Sequence, residues 1–202
     1  MAIDSERHSR IVAMMREEEL DALICSSPTE VLLLTGYWPV MGTSVAVFTA
    51  DGGVHVLVPS DEHEIAANSS SAVLTTFHAG ELSSLTTPQT AIAQPHTSLC
   101  ALLSLSHARI GMERNQGIQP ASYAVTASYR SALVDILRGA FPQIEIVAVD
   151  TALEHLKASK TTIELEKMRA TANIAAAGFE TMTQAIQPGL REAEIAGLPD
   201  GL

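Results

Sequence analysis

The stretch Ser159–Ile195, SKTTIELEKMRATANIAAAGFETMTQAIQPGLREAEI, decides how the chain is read. Thr161 stands three residues before Glu164, the spacing of a capping box, in which two side chains satisfy the backbone donors at a helix start. Behind it, Leu165, Met168, Ala172, Ala175, Phe179, Met182 and Ile186 recur at alternating steps of three and four. That spacing draws one apolar stripe down a helix of about seven turns. Pro188-Gly189 stops it, because proline disfavours helix just before itself and glycine serves left-handed exits. Period alone is equally that of a core helix or a short coiled-coil seam.

Outside this stretch, composition bounds the answer. At 202 residues the chain suits one domain, or one domain and part of another. Hydrophobic residues make up 47%, enough for a real core. Charged residues are only 17%, with a formal net charge of −11, which would repel phosphate backbones and argues against nucleic-acid binding. Cys25 and Cys100 lie far apart with no CxxC spacing, and read as small buried hydrophobes in a reducing compartment. The N-terminal residues lack the apolar run of a signal peptide, and no segment approaches the length of a bilayer span. A cytoplasmic protein with no membrane partner is expected.

Upstream of Ser159, helices and strands interleave. Ser5 can cap a first helix that places Ile11, Met14 and Met15 on one face. Ala22–Cys25 reads as a buried strand, Ser26-Ser27-Pro28-Thr29 breaks it, and Glu30–Leu34 makes a brief helical turn. Thr35-Gly36-Tyr37-Trp38-Pro39 is a loop by its glycine and proline. Thr43–Thr49 and Val54–Val58, joined by Ala50-Asp51-Gly52-Gly53, are the clearest hairpin. Ser60–Ala67 is expected helical, Ala72–Phe77 a strand, Thr90–Ser104 a helix, Arg109–Met112 a strand and Ala121–Leu137 a helix. Ile144–Val149 is the last strand, and Thr151–Leu156 a connecting helix. The pattern predicts an α/β fold with a mixed β-sheet covered by helices, and a domain boundary near Ala158-Ser159.

The wording of the opening stretch is more specific than its period. Lys160-Thr161 with Glu164, Met168-Arg169, Ala172, Gly178, Pro188-Gly189 and Glu192-Ala193-Glu194 resembles the entry helix of the creatinase/prolidase (Xaa-Pro peptidase) family. Leu34-Thr35-Gly36-Tyr37, Ile110-Gly111 with Glu113, and Val149-Asp150 are similar to points of that family's N-terminal domain. Where the family usually has Ser or Thr before the Glu of the second motif, this chain has Arg191, which removes the usual cap. The resemblance implies residues 1–158 as a creatinase-type N-terminal domain and 159–202 as the start of an incomplete pita-bread metallohydrolase domain. Glycine then proline in Gly197-Leu198-Pro199 ends any helix begun near Glu192, where the family pattern continues it.

In that family the metal ligands are two Asp, one His and two Glu beyond the entry helix. No residue here matches those positions, so the resemblance implies no catalytic residue and no metal ligand in this chain. A divalent metal (Mn, Co or Zn) is expected only in a complete family member. Asp61-Glu62-His63-Glu64 is the densest local cluster, and reads as a solvated helix start rather than a metal site. His55 is expected at a solvent-facing or edge position, Ser69–Ser71 in a loop, and no phosphate loop, GxSxG elbow or HExxH pair is present. The candidate site is Tyr37 and Trp38, aromatic residues after a tight glycine turn. The Trp38 ring can pack under its own loop or stand at an interface. In the family's dimers this loop projects towards the partner's active site, which implies a substrate-access or dimer role.

The resemblance thus implies the non-catalytic N-terminal portion of an Xaa-Pro peptidase, acting in dimerisation and substrate access, as a homodimer lacking its catalytic domain. A stand-alone binding module of the same fold, or part of a creatinase-like hydrolase with a non-peptide substrate, is the alternative.

Overall fold

The computed structural model describes residues 4–40, 44–78, 86–113 and 128–197. The chain divides into two units, Met1–Ser159 and Lys160–Leu202.

Unit 1 is built on a mixed sheet of six strands: β1 (Ala22–Cys25), β2 (Val45–Thr49), β3 (Val54–Pro59), β4 (Val73–Phe77), β5 (Arg109–Met112) and β6 (Glu145–Ala148), in the order β4-β3-β2-β1-β5-β6. The hairpin β2–β3 pairs antiparallel, and β2 also lies antiparallel to β1, with Ala22 opposite Thr49. The pairs β3–β4, β1–β5 and β5–β6 are parallel. At the hairpin turn Gly52 N donates to Thr49 O (2.8 Å) and Thr49 N to Gly53 O (2.9 Å), as Asp-Gly-Gly led one to expect.

Strand alternation sorts the core into two layers. Leu23, Cys25, Ala46, Phe48, Val56 and Val58 face helices α1 (Ser5–Glu17), α2 (Pro28–Thr35), α3 (His63–Ser69) and α6 (Asp150–Ala158). Ala22, Ile24, Val45, Val47, Leu57 and Ile110 face α4 (Pro88–Leu102) and α5 (Ser128–Ala140). Both faces of the central strands are covered, which is why β1 and β2 read as continuous apolar runs rather than as an alternating pattern. Each fully buried Ile, Leu or Phe contributes about 1.5–3 kcal/mol.

Several sequence expectations need adjustment. Asp4, not Ser5, caps α1, accepting from Arg7 N at 3.1 Å, and Ser5 is the first helical residue. Ser60–Ala67 is a 3₁₀ turn over Ser60–Glu62 followed by α3. His55 is half-buried in an interior strand, between Val47 of β2 and Val73 of β4. Burial lowers its imidazole pKa, with Asp51 opposing. Thr43 and the first part of the expected fifth helix, 121–127, lie outside the described residues. Cys25 and Cys100 are buried free thiols. Among the described residues no helix is long and apolar enough to cross a membrane.

The end of unit 1 is tied back to its beginning. The buried Arg7 guanidinium donates to Leu156 O and to Ser159 O (2.9 Å), and Arg10 also donates to Ser159 O (2.8 Å). Two cations thus sit on carbonyls at the end of α6, where they complement its dipole.

Unit 2 consists of α7 (Thr162–Ala185) and the short α8 (Glu192–Ala196). The capping box is formed: Glu164 N donates to Thr161 Oγ1 (3.2 Å) and Thr161 N to Glu164 Oε2 (2.9 Å). At α8 Arg191 has no acceptor to offer, so only half of such a box forms, from Arg191 N to Glu194 Oε2 (2.8 Å). No residue of α7 is buried.

Candidate functional site

The loop carrying Tyr37 and Trp38 is set by the end of α2. Gly36 adopts φ +77 there, and its N–H donates to Leu32 O at 2.8 Å. This left-handed exit favours glycine, and a Cβ would also meet Ser69 O at 3.4 Å. Thr35 organises the two sides of the turn. Its hydroxyl donates to Val31 O (2.7 Å) and accepts from Tyr37 N (3.1 Å), while its carbonyl accepts from Ser70 Oγ (2.7 Å). Each residue of Thr35-Gly36-Tyr37 therefore has a separate structural task.

Tyr37 and Trp38 are treated differently by the fold. Tyr37 is fully buried, and its phenol donates to the Glu62 carboxylate. The same oxygen, Glu62 Oε2, accepts from Val40 N at 2.8 Å, so one buried carboxylate holds the loop at two points. Burial, reinforced by the neighbouring carboxylate, raises the Tyr37 pKa, and the phenol remains a neutral donor. Trp38, between these anchors, is 39% exposed and Val40 is 62% exposed. The structure brings Tyr37 and Glu62 together and leaves Trp38 partly at the surface.

Glu62 was passed over in the sequence as one member of an acidic run. Its neighbours Asp61, His63 and Glu64 are indeed exposed, but Glu62 turns inward. A tyrosine beside a tight turn needs a polar partner when it is buried, and that requirement was the available signal. Nothing local ties positions 37 and 62, which lie 25 residues apart.

A second cluster gathers where α2 begins. Glu30 is held by Lys157 of α6 (2.5 Å) and by Thr29 Oγ1 (2.6 Å). Burial alone would raise the Glu30 pKa, but the Lys157, Ser27 and Thr29 hydrogen bonds outweigh it and the net shift is downward. Among the described residues, no three His, Cys, Asp or Glu side chains are placed to hold a metal ion. The described residues therefore do not fit a catalytic metal centre.

Comparison with known proteins agrees with this architecture. The family described as the Creatinase/Prolidase N-terminal domain matches residues 7–159. Among solved structures, an X-Pro aminopeptidase from Thermotoga maritima MSB8 superposes with a TM-score of 0.70 at 17% identity, covering 96% of this chain and 48% of that one. The prolidase from Pyrococcus horikoshii OT3 gives 0.62 at 17% identity, over 97% of this chain and 47% of that one. A proline dipeptidase structure from Streptococcus pneumoniae TIGR4 gives 0.53 at 19% identity, covering 76% of this chain and 98% of that one. The chain thus spans about half the length of the Thermotoga and Pyrococcus proteins. No curated protein matches the sequence. With most of unit 1 matched by one family and its α/β sheet shared with these structures, the chain belongs to the creatinase/prolidase N-terminal domain family.

Proposed function

We propose that this chain is the non-catalytic N-terminal portion of a prolidase or aminopeptidase P-like Xaa-Pro peptidase, with residues 159–202 beginning its pita-bread domain. Its work is dimerisation and the shaping of substrate access. The observation that carries the reading is the family match over residues 7–159 together with the anchored loop inside it. Tyr37 and Glu62 make the loop rigid, and Trp38 is the group presented. An indole held on a fixed loop offers large contact area at little entropic cost, and in a homodimer it would wall the neighbouring subunit's pocket and exclude water. The two buried free cysteines support a reducing, cytoplasmic setting.

Three measurements test this. The purified polypeptide, supplied with manganese, cobalt or zinc, is expected to show no hydrolysis of Gly-Pro or other Xaa-Pro substrates. Turnover abolished by a chelator would overturn that. Sedimentation should show a dimer that Trp38→Ala weakens. In a chain carrying a catalytic domain, the same change should raise KM or lower kcat with metal content unchanged.

A further inference from the structure

The helices that come after the two central parallel strands lie on opposite faces of the sheet. β1 leads through Ser26-Ser27 into α2, on the face that also holds α1 and α6. Among the described residues, the next helix after β5, α5, packs on the opposite face with α4. Neighbouring parallel strands whose connections leave to opposite faces create a switch point, the place where open α/β sheets hold their ligands.

Here a side chain of the protein occupies that place. Glu113 follows β5 one residue beyond the Ile24–Met112 pair, which sets it beside Cys25. It is 5% exposed. Its Oε1 accepts from Ser26 N (2.7 Å), from Ser27 N (2.9 Å) and from Ser26 Oγ (3.3 Å). Ser27 is the N-cap of α2, and its amide is the donor that a glutamate three residues on satisfies in a capping box. In α2 that glutamate, Glu30, is instead engaged by Lys157 and Thr29. A carboxylate from the neighbouring strand, 86 residues away in the chain, makes the missing bond. Burial raises the Glu113 pKa, and the Ser26 and Ser27 amides and the Cys25 thiol oppose this.

We propose that Glu113 is the positioning residue of the candidate loop: its carboxylate fills the anion place at the β1–β5 switch point, fixes the first turn of α2, and through this eight-residue helix sets the Gly36 turn that presents Trp38. The anchoring of α2 stands by itself, while its value to substrate access rests on the function proposed above.

The test is chemical rescue. Glu113→Ala leaves two amides facing a space that formate can enter. Losing the hydrogen bonds that Ser26 N, Ser27 N and Ser26 Oγ make to this buried carboxylate should lower the folded-to-unfolded ratio by roughly 100-fold or more. Amide exchange in α2 should accelerate by about tenfold or more, and the emission of Trp38, the only tryptophan, should shift. Sodium formate should reverse all three changes saturably, sodium chloride at equal ionic strength should not, and the unsubstituted protein should respond to neither. Formate acting no better than chloride, or equally on the unsubstituted protein, overturns the proposal. Recovery of α2 exchange with Trp38 emission never moving overturns the link to the loop. If Glu113→Ala does not fold, Glu113→Gln decides. Faster exchange confined to α2 supports the role, and uniform loss across β2 and β3 refutes it. Should Trp38→Ala leave dimerisation and KM untouched while rescue succeeds, only the functional reading falls.

Discussion

Replacing Tyr37 by Phe keeps the ring and removes only the hydroxyl that donates to Glu62. The carboxylate is 3% exposed, so water cannot replace the lost donor, while the Val40 amide at 2.8 Å remains. A hydrogen bond to a charged group contributes about 1.5–3 kcal/mol, and that is the expected loss. For a unit of this size, each kcal/mol shifts Tm by roughly 2–4 °C, so Tyr37→Phe should lower it by about 3–12 °C. Tyr37→Ala adds a cavity and should cost about 3–5 kcal/mol. Trp38→Ala, one residue on, should stay within about 1 kcal/mol, because the ring is 39% exposed. Urea unfolding followed by far-UV circular dichroism reads all three, provided the denaturant slope is unchanged. The division into anchor and presented ring is refuted if Trp38→Ala costs 3–5 kcal/mol, or if Tyr37→Phe costs under about 0.5 kcal/mol.

His96 sits fully buried on α4, with Cys100 Sγ 4.0 Å from its ring nitrogens, and burial holds its pKa at about 4. The unfolded chain takes up this proton near pH 6.5. Between those values the unfolded state binds more protons, so the stabilisation is complete above pH 6.5 and is lost as pH falls towards 4. The slope should approach about 1.4 kcal/mol per pH unit, and His96→Leu should flatten it; an unchanged slope in the variant counts against the assignment. Gly111→Ala would place a Cβ 2.7 Å from Leu20 Cδ1 and 3.2 Å from Leu23 Cδ1 and Val149 Cγ1, so a loss of about 1–3 kcal/mol is expected in thermal melts. The stripe of α7, with Met168 at 53% and Phe179 at 69% exposure, should drive concentration-dependent association of this polypeptide. Light scattering should show less association after Phe179→Glu, and a monomer at high concentration before substitution would reject the idea.

Much of the local order was readable where the physics is local, although the cap of α1 fell on Asp4 rather than Ser5. Thr161 and Glu164 cap a helix because three residues bring them together. Gly36 ends α2 because left-handed backbone favours a residue without a Cβ, and the Ala50-Asp51-Gly52-Gly53 turn joins β2 to β3. The family wording around Thr35-Gly36-Tyr37 and in α7 extended this to the architecture of the whole chain. Side-chain roles that depend on distant partners were another matter. The sequence placed Tyr37 and Trp38 together, but only the packed sheet buries one and exposes the other, because Glu62 arrives from beyond β3 to receive the phenol. Glu113 likewise read as one letter of a strand motif. It became a helix-anchoring carboxylate once β5 lay parallel to β1, bringing its carboxylate within 2.7 Å of an amide 87 positions away. Periodicity and turn chemistry act over a few residues and are written in the chain; which buried donor meets which carboxylate is decided by strand order, and strand order exists only in the folded molecule.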